Sequence, residues 1–202
     1  MKNNKLTTRE LVELSLFSAL IALSIQFFRI PVGPQFIHFG NALVVVATLI
    51  YGVRKGALVA TVGLGAFDIL NGYASVVWIT ILEALVVILV VHFVYEAMPE
   101  NRERLVIVGF AAALTKIVLN LFKYTLIGML GNLTLGASLN LALVKIVGTF
   151  GSSLATVIAV PILYPIFKKI SETIRKSSFL VFEDLKIINF FRKKCLKSRC
   201  FH

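Results

Sequence analysis

Apolar stretches approaching the roughly 20 residues that cross a bilayer as a helix recur along this chain, separated by short interruptions holding charge, Pro or Gly. The bilayer core has no water to satisfy backbone N–H and C=O groups, so a crossing segment must be a helix or belong to a closed barrel. A barrel would show alternating strands of about 10 residues, and runs such as Val76 to Ala97 do not alternate. Composition agrees. Of the 202 residues, 58% are hydrophobic and 15% charged, against about 25% charged in soluble domains, and mean hydropathy is +0.89. The expected fold class is therefore an all-α integral membrane protein, a bundle of six transmembrane helices.

The first segment opens with Thr7-x-x-Glu10, the spacing of a capping box, and runs from about Leu11 to Phe28 before the Pro31/Pro34 break. The second is expected over Gln35 to Tyr51. Arg54-Lys55 follows, and a third run starts at Gly56 and ends near Asn71-Gly72, a turn dipeptide. The fourth spans Val76 to Ala97 and is stopped by Pro99 and the charged stretch Glu100 to Arg104. The fifth covers Leu105 to Ile127, and after a loop with Gly131-Asn132 and Gly136 the sixth covers Ser138 to Ile166.

Basic loops stay in the cytoplasm. With the N-terminus inside, Lys2, Lys5, Arg9, Arg54, Lys55, Arg102, Arg104, Lys168 and Lys169 all fall on the cytoplasmic side, leaving Arg29 and Lys123 near the outside. Both termini are then cytoplasmic. The first apolar run has no small-residue cleavage site and reads as a retained helix rather than a signal peptide.

Two parts are expected, a membrane domain over 1–167 and a basic tail over 168–202. The tail carries ten Lys/Arg and three Asp/Glu, with Phe179, Val181, Phe182, Ile187, Ile188, Phe190 and Phe191 interleaved. Such a segment can lie on an anionic cytoplasmic leaflet. No nucleic-acid recognition motif accompanies the charge, so the expected partner is the lipid membrane and not nucleic acid. Cys195 and Cys200 lack metal-site companions and sit on the reducing side.

The sequence has no phosphate-binding G-x-x-x-x-G-K-[ST] loop, so nucleotide hydrolysis is not expected of it. His occurs only as His38, His92 and His202, at unrelated depths, which gives neither a catalytic cluster nor a metal set. The chain reads as a binder or transporter that is no enzyme and needs no cofactor. Asn132-Leu-Thr134 matches a glycosylation acceptor, a pattern too frequent by chance to carry weight.

Ionisable residues inside lipid cost a few kcal/mol each unless they meet a partner or a wet cavity. Asp68, Glu83, Lys116 and Lys145 are the candidates. With a rise of about 1.5 Å per residue, Glu83 and Lys145 fall about 10 Å below the outer ends of helices four and six. Lys116, Asn120 and Lys123 follow i, i+4, i+7 spacing and form one stripe on helix five. Helices four to six thus aim polar groups at one outer-leaflet region. A purely structural Glu83–Lys pair is the competing account. Lys123, near a helix end, can snorkel to the headgroups. Asp68, with Gly65 and Gly72 on its own face, suits a structural role where another backbone comes close. Tyr73 and Trp78 sit at the height of the aromatic belt and flank the region.

Helix one carries Ser15-x-x-x-Ala19 and Ser18-x-x-x-Ala22, small faces on which another helix can pack closely. Packing within the bundle and docking of a partner both fit that pattern. On helix three, Gly56, Ala60 and Gly63 form a similar stripe, read as internal.

Pro31-Val-Gly-Pro-Gln-Phe-Ile-His-Phe-Gly-Asn41, Tyr51-Gly-Val-Arg-Lys-Gly56 and Gly65-Ala-Phe-Asp-Ile-Leu-Asn-Gly-Tyr73, taken in order, resemble the S components of energy-coupling factor (ECF) transporters, especially the riboflavin-type group. The likeness covers about residues 8 to 167. It departs at Asn41, where Gly-Asp is common in place of Gly40-Asn41, and at Thr80, where a Lys often stands before the helix-four acid. The resemblance implies a prokaryotic plasma-membrane subunit that binds a water-soluble vitamin or precursor near the outer face. The implied site draws on the first outer loop, with His38 and Asn41, and on Trp78, Glu83, Lys116, Asn120 and Lys145 of helices four to six. It also implies that Ser15, Ser18, Ala19 and Ala22 dock onto a transmembrane T component coupled to two ATPases. Riboflavin, pyridoxine, hydroxymethylpyrimidine and pantothenate types of ligand all remain open. A stand-alone facilitator or channel is the alternative function, although it would need a polar path through to the cytoplasm.

Overall fold

The computed structural model describes residues 6–32, 35–101 and 103–198, with side chains as far as residue 174. Among the described residues there are seven helices and one two-stranded sheet: α1 (Thr8–Phe28), β1 (Ile30–Val32), β2 (Gln35–Ile37), α2 (Gly40–Tyr51), α3 (Val53–Leu70), α4 (Val77–Ala97), α5 (Glu103–Leu130), α6 (Leu135–Lys145) and α7 (Val147–Ser198). Four of them, Thr8–Phe28, Val77–Ala97, Glu103–Leu130 and Val147–Ile174, are long and apolar enough to cross a membrane.

Local chemistry explains the boundaries. Thr7 caps α1 reciprocally: its Oγ1 accepts from the Glu10 N–H at 3.2 Å, and its own N–H donates to Glu10 Oε2 at 3.1 Å, the complete capping box. Gly52 ends α2 with φ +81° and Gly72 follows α3 with φ +83°, backbone conformations that glycine adopts without a Cβ penalty. Thr134 caps α6 by accepting from the Ala137 N–H.

Two expectations are corrected here. Helix two does not begin at Gln35: Gln35–Ile37 pairs antiparallel with Ile30–Val32, with Pro31 opposite Phe36, and the helix starts at Gly40. Gln35 is the residue this pairing redirects. The sixth apolar segment is two helices and not one, because Ile146 leaves helical geometry at ψ 3°. Backbone hydrogen bonds still run through the junction, from Ile146 N–H to Ala142 O at 3.0 Å and from Phe150 N–H to Ile146 O at 3.1 Å. The segment is bent rather than interrupted.

The chain divides into two compact units, residues 1–164 and 165–202. In the first, α3 packs against α1, α2 and α4, while α5 lies against α4 and α6. Ala42, Val45, Val87, Val91, Val108, Ala112, Ala159 and Val160, from α2, α4, α5 and α7, form a buried apolar cluster. Outward-facing residues remain apolar, as with Leu16, Phe93, Phe122 and Leu154, each more than 60% exposed. Lipid is as apolar as such side chains, so close fit rather than water exclusion holds these helices together. The second unit is helical through Ser198. The tail side chains from Phe179 to Phe191 and that of Cys195, with Lys2, Lys5, Pro34, Arg102, Cys200 and His202, lie outside the described residues.

Candidate functional site

At one end of the first unit, the C-terminal parts of α1, α3 and α5 meet the N-terminal parts of α4 and α7 around a cavity of about 250 Å³. The β1–β2 hairpin forms part of its wall, through Gln35 and Phe36. Glycine makes that seating possible. A Cβ on Gly148 would come within 2.7 Å of Gln35 Cβ, and one on Gly151 would overlap the Ile37 side chain. The hairpin is then pinned by hydrogen bonds. Ser152 Oγ donates to Phe36 O at 3.0 Å, and the His38 N–H donates to Ser152 Oγ at 3.3 Å. Gln35 accepts from Thr149 Oγ1 at 2.6 Å and donates to Tyr124 Oη at 2.9 Å. On the other side Arg29 lies over the Phe36 and Phe67 rings, 5.1 and 5.6 Å from their centroids, and donates to Asn71 Oδ1.

The cavity's electrostatic centre is Glu83, buried on α4. One carboxylate oxygen takes Lys116 Nζ and the other takes Lys123 Nζ, each at 2.6 Å. Asn120, one turn from each lysine on α5, donates to Lys116 O at 3.0 Å and reaches Glu83 Oε2 at 3.4 Å. Burying charges is costly unless geometry and hydrogen bonding are both satisfied, and here a single carboxylate is matched by two cations and an amide. The i, i+4, i+7 spacing on α5 is what permits it, since all three side chains leave one face.

His38, Asn41, Glu83, Lys116 and Asn120 all line this cavity. Lys145 and Trp78 do not. Lys145 Nζ instead sits 5.4 Å from the centroid of the Tyr124 ring, at the end of α6, which packs against α5. Trp78 is 60% exposed and its indole N–H donates to Ser75 O, an orientation suited to an interface anchor. Lys123 points inward to Glu83 rather than out to the headgroup level. Asp68 lines the cavity too, where sequence reading favoured a structural position.

Gln35, Tyr124 and Thr149 escaped the sequence reading. Tyr124 follows Lys123 directly and had no periodicity of its own to mark it, and Gln35 was assigned to a helix. No spacing in the sequence links Thr149 to Gln35, more than a hundred residues away.

The small face of α1 also divides. Ser15 and Ala19 are exposed and Ala22 half-buried, whereas Ser18 is buried, its hydroxyl donating to Leu14 O at 2.9 Å and lying 3.3 Å from Val59 O of α3. At 100° per residue Ser18 shares the arc of Leu14, Ile21 and Ile25, which are all buried. Gly63 meets the same arc: a Cβ there would come 2.8 Å from Ser18 O.

The first unit thus combines an apolar exterior with a polar cavity at one end. Residues 5–171 match the model of the family described as ECF-type riboflavin transporter, S component, and the chain belongs to that family. No curated protein sequence matches it.

Proposed function

We propose that this chain is the high-affinity binding subunit for uptake of a small water-soluble vitamin or precursor, held in the cavity around Glu83. The observation that carries the reading is that cavity itself. Polar groups from five helices and a hairpin converge on it, at a depth where each would be costly without a function or a partner. His38, Asn41, Glu83, Lys116 and Asn120 are the proposed ligand-facing residues, with Lys123, Gln35 and Tyr124 added. Trp78 and Lys145 serve at the rim.

In this reading the protein sits in a prokaryotic plasma membrane with both termini cytoplasmic, α6 and the start of α7 together forming the sixth crossing. The membrane part and the basic tail after residue 167 are separate functional regions, the tail lying at the lipid surface. A T component and two ATPases supply the transport step, and the T component docks on the exposed side of α1 at Ser15, Ala19 and Ala22. Ser18, turned toward α3, supports the bundle instead.

Reconstitution tests the reading. A binding subunit holds vitamin in liposomes without moving it until the T component and ATPases are added; a facilitator moves it alone, and an enzyme alters it. Ala19→Trp should leave vitamin binding within about twofold while abolishing co-purification with the T component and ATP-driven uptake, because bulk keeps a partner helix away. Collapse of binding with assembly intact would show that this face packs inside the bundle.

A further inference from the structure

His38 stands between the hairpin and α2, and its half-buried ring lines the cavity. Its backbone N–H donates to Ser152 Oγ of α7 at 3.3 Å, and its Nδ1 accepts the N–H of Gly40 at 3.2 Å. The second bond caps α2, because Gly40 opens that helix and the first four N–H groups of a helix have no carbonyl partner inside it. Phe39 supplies no side-chain cap, so the imidazole takes over the work of an N-cap side chain. Glycine at 40 leaves the ring its place: a Cβ there would come 3.1 Å from Nδ1.

That bond fixes the chemistry of the ring. A nitrogen that accepts an N–H bond carries no proton, and an imidazole holds at least one, so the proton is on Nε2. The same bond excludes the imidazolium, in which both nitrogens donate, and the positive end of α2 opposes that cation further. Nε2–H has no protein acceptor among the described residues. Other polar groups on the same wall spend donors inside the protein: Thr149 Oγ1 on Gln35, Gln35 Nε2 on Tyr124 and Ser152 Oγ on Phe36 O. With its backbone tied to α7 and Nδ1 tied to α2, the direction of Nε2–H is set before any ligand arrives, which lowers the ordering cost of binding.

We propose that His38 is a donor-only recognition residue, a neutral imidazole protonated on Nε2 that selects ligands offering a ring nitrogen or a carbonyl oxygen as acceptor to the hairpin side of the cavity. This rests on the cavity being the vitamin site and assigns the polarity of one contact within it. A site built to make such a bond rejects an analogue lacking the acceptor, because the donor is then left unpaired.

The tautomer is read first, without ligand. In full-length protein carrying His92→Gln and His202→Gln, which leaves His38 as the single histidine, side-chain nitrogen NMR near neutral pH should show a protonated Nε2 and an unprotonated Nδ1. The reverse pattern, or an imidazolium, overturns the proposal and leaves vitamin capture standing. Isothermal titration then uses riboflavin, pyridoxine, hydroxymethylpyrimidine and pantothenate and, for the tightest binder, analogues that each lack one ring-nitrogen or carbonyl acceptor. One analogue should bind the native protein about tenfold more weakly than its parent. In His38→Leu that difference should vanish, because the two changes remove one interaction. Where His38→Leu does not fold, the Nε2–H proton decides: its resonance should move downfield with the parent and stay in place with that analogue. Analogues that all bind like the parent, or a loss that persists in His38→Leu, would show that His38 is not the donor. If none of the four probes binds to folded protein, the vitamin-site reading fails and the proposal with it.

Discussion

Helices α2, α4, α5 and α7 build two very different interiors. Toward one end they supply Asn41, Glu83, Lys116, Asn120, Thr149 and Ser152 to the cavity; farther along the same helices they supply Ala42, Val45, Val87, Val91, Val108, Ala112, Ala159 and Val160 to a buried apolar cluster. Glu83 and Val87 are one turn apart, as are Lys116 and Ala112. On α4 and α5 the transition from polar to dry therefore takes a single helical turn. Between the two interiors lies a narrow gap, lined by Asn41, Lys116, Ser153 and Thr156 as well as Val44, Val87 and Ala112. The proposed capture from one side draws on this asymmetry: the polar chamber would give specificity, and the apolar cluster, its floor, would interrupt a polar path through the bundle.

Making the chamber resemble the floor at one residue should produce the largest effect. Glu83→Leu leaves two lysines facing each other in a buried site, and breaking a buried ion pair from one side costs about 3–5 kcal/mol. Thermal unfolding in detergent should show that loss. The triple change Glu83→Leu, Lys116→Met and Lys123→Met removes the uncompensated charge as well and should recover most of the stability without recovering ligand binding. A triple variant as unstable as the single one would mean that the lysines are held by something other than Glu83.

Next in size is a change to the floor. Val91 is fully buried in the apolar cluster, and Val91→Ala opens a small void and forfeits its contacts, worth about 1–2 kcal/mol on the scale of core truncations. Stability should fall by that amount while ligand affinity, measured by titration, stays within about twofold. A parallel fall in affinity would show that floor and chamber are mechanically one region.

The sequence exposed the chamber better than its walls. Glu83, Lys116 and Asn120 could be brought together from helical spacing because a regular helix fixes which residues share a face. That rule failed wherever the backbone departs from a straight helix. One straight helix from Ser138 to Ile166 would set Lys145 opposite Lys116; α6 instead ends at Lys145, whose Nζ lies against the Tyr124 ring. Gln35 was hidden because its position in a short hairpin depends on glycines more than a hundred residues away, Gly148 and Gly151. Snorkelling was a sound expectation for Lys123, but a buried carboxylate within reach outweighs the headgroups. On α1, spacing identified the small residues and could not tell that Ser18 lies a little farther round the helix, on the side occupied by α3.

A smaller effect is expected where the hairpin meets the helices. Gln35 joins Thr149 and Tyr124 by hydrogen bonds, each worth about 1 kcal/mol net. Gln35→Ala should loosen one wall of the chamber and weaken ligand binding by roughly fivefold, the equivalent of about 1 kcal/mol, chiefly through faster release seen in stopped-flow dissociation. The floor should not respond, so the unfolding midpoint should shift far less than in Val91→Ala. Unaltered release would assign the hairpin no part in holding the ligand.

The smallest effect lies at the far end of α1, remote from the chamber. Glu10 closes the capping box with Thr7 and pairs with Lys55 of α3 at 2.5 Å. The pair is more than a third exposed, and exposed pairs commonly contribute about 0–1 kcal/mol and are screened by salt. Glu10→Gln should therefore lower the unfolding midpoint by only that small amount, and raising the salt concentration should shrink the difference from the native protein. Ligand affinity should be the same in both proteins throughout. A difference that grows with salt would remove the Glu10–Lys55 pair as its source, while a change in affinity would mean that this end of α1 is coupled to the chamber.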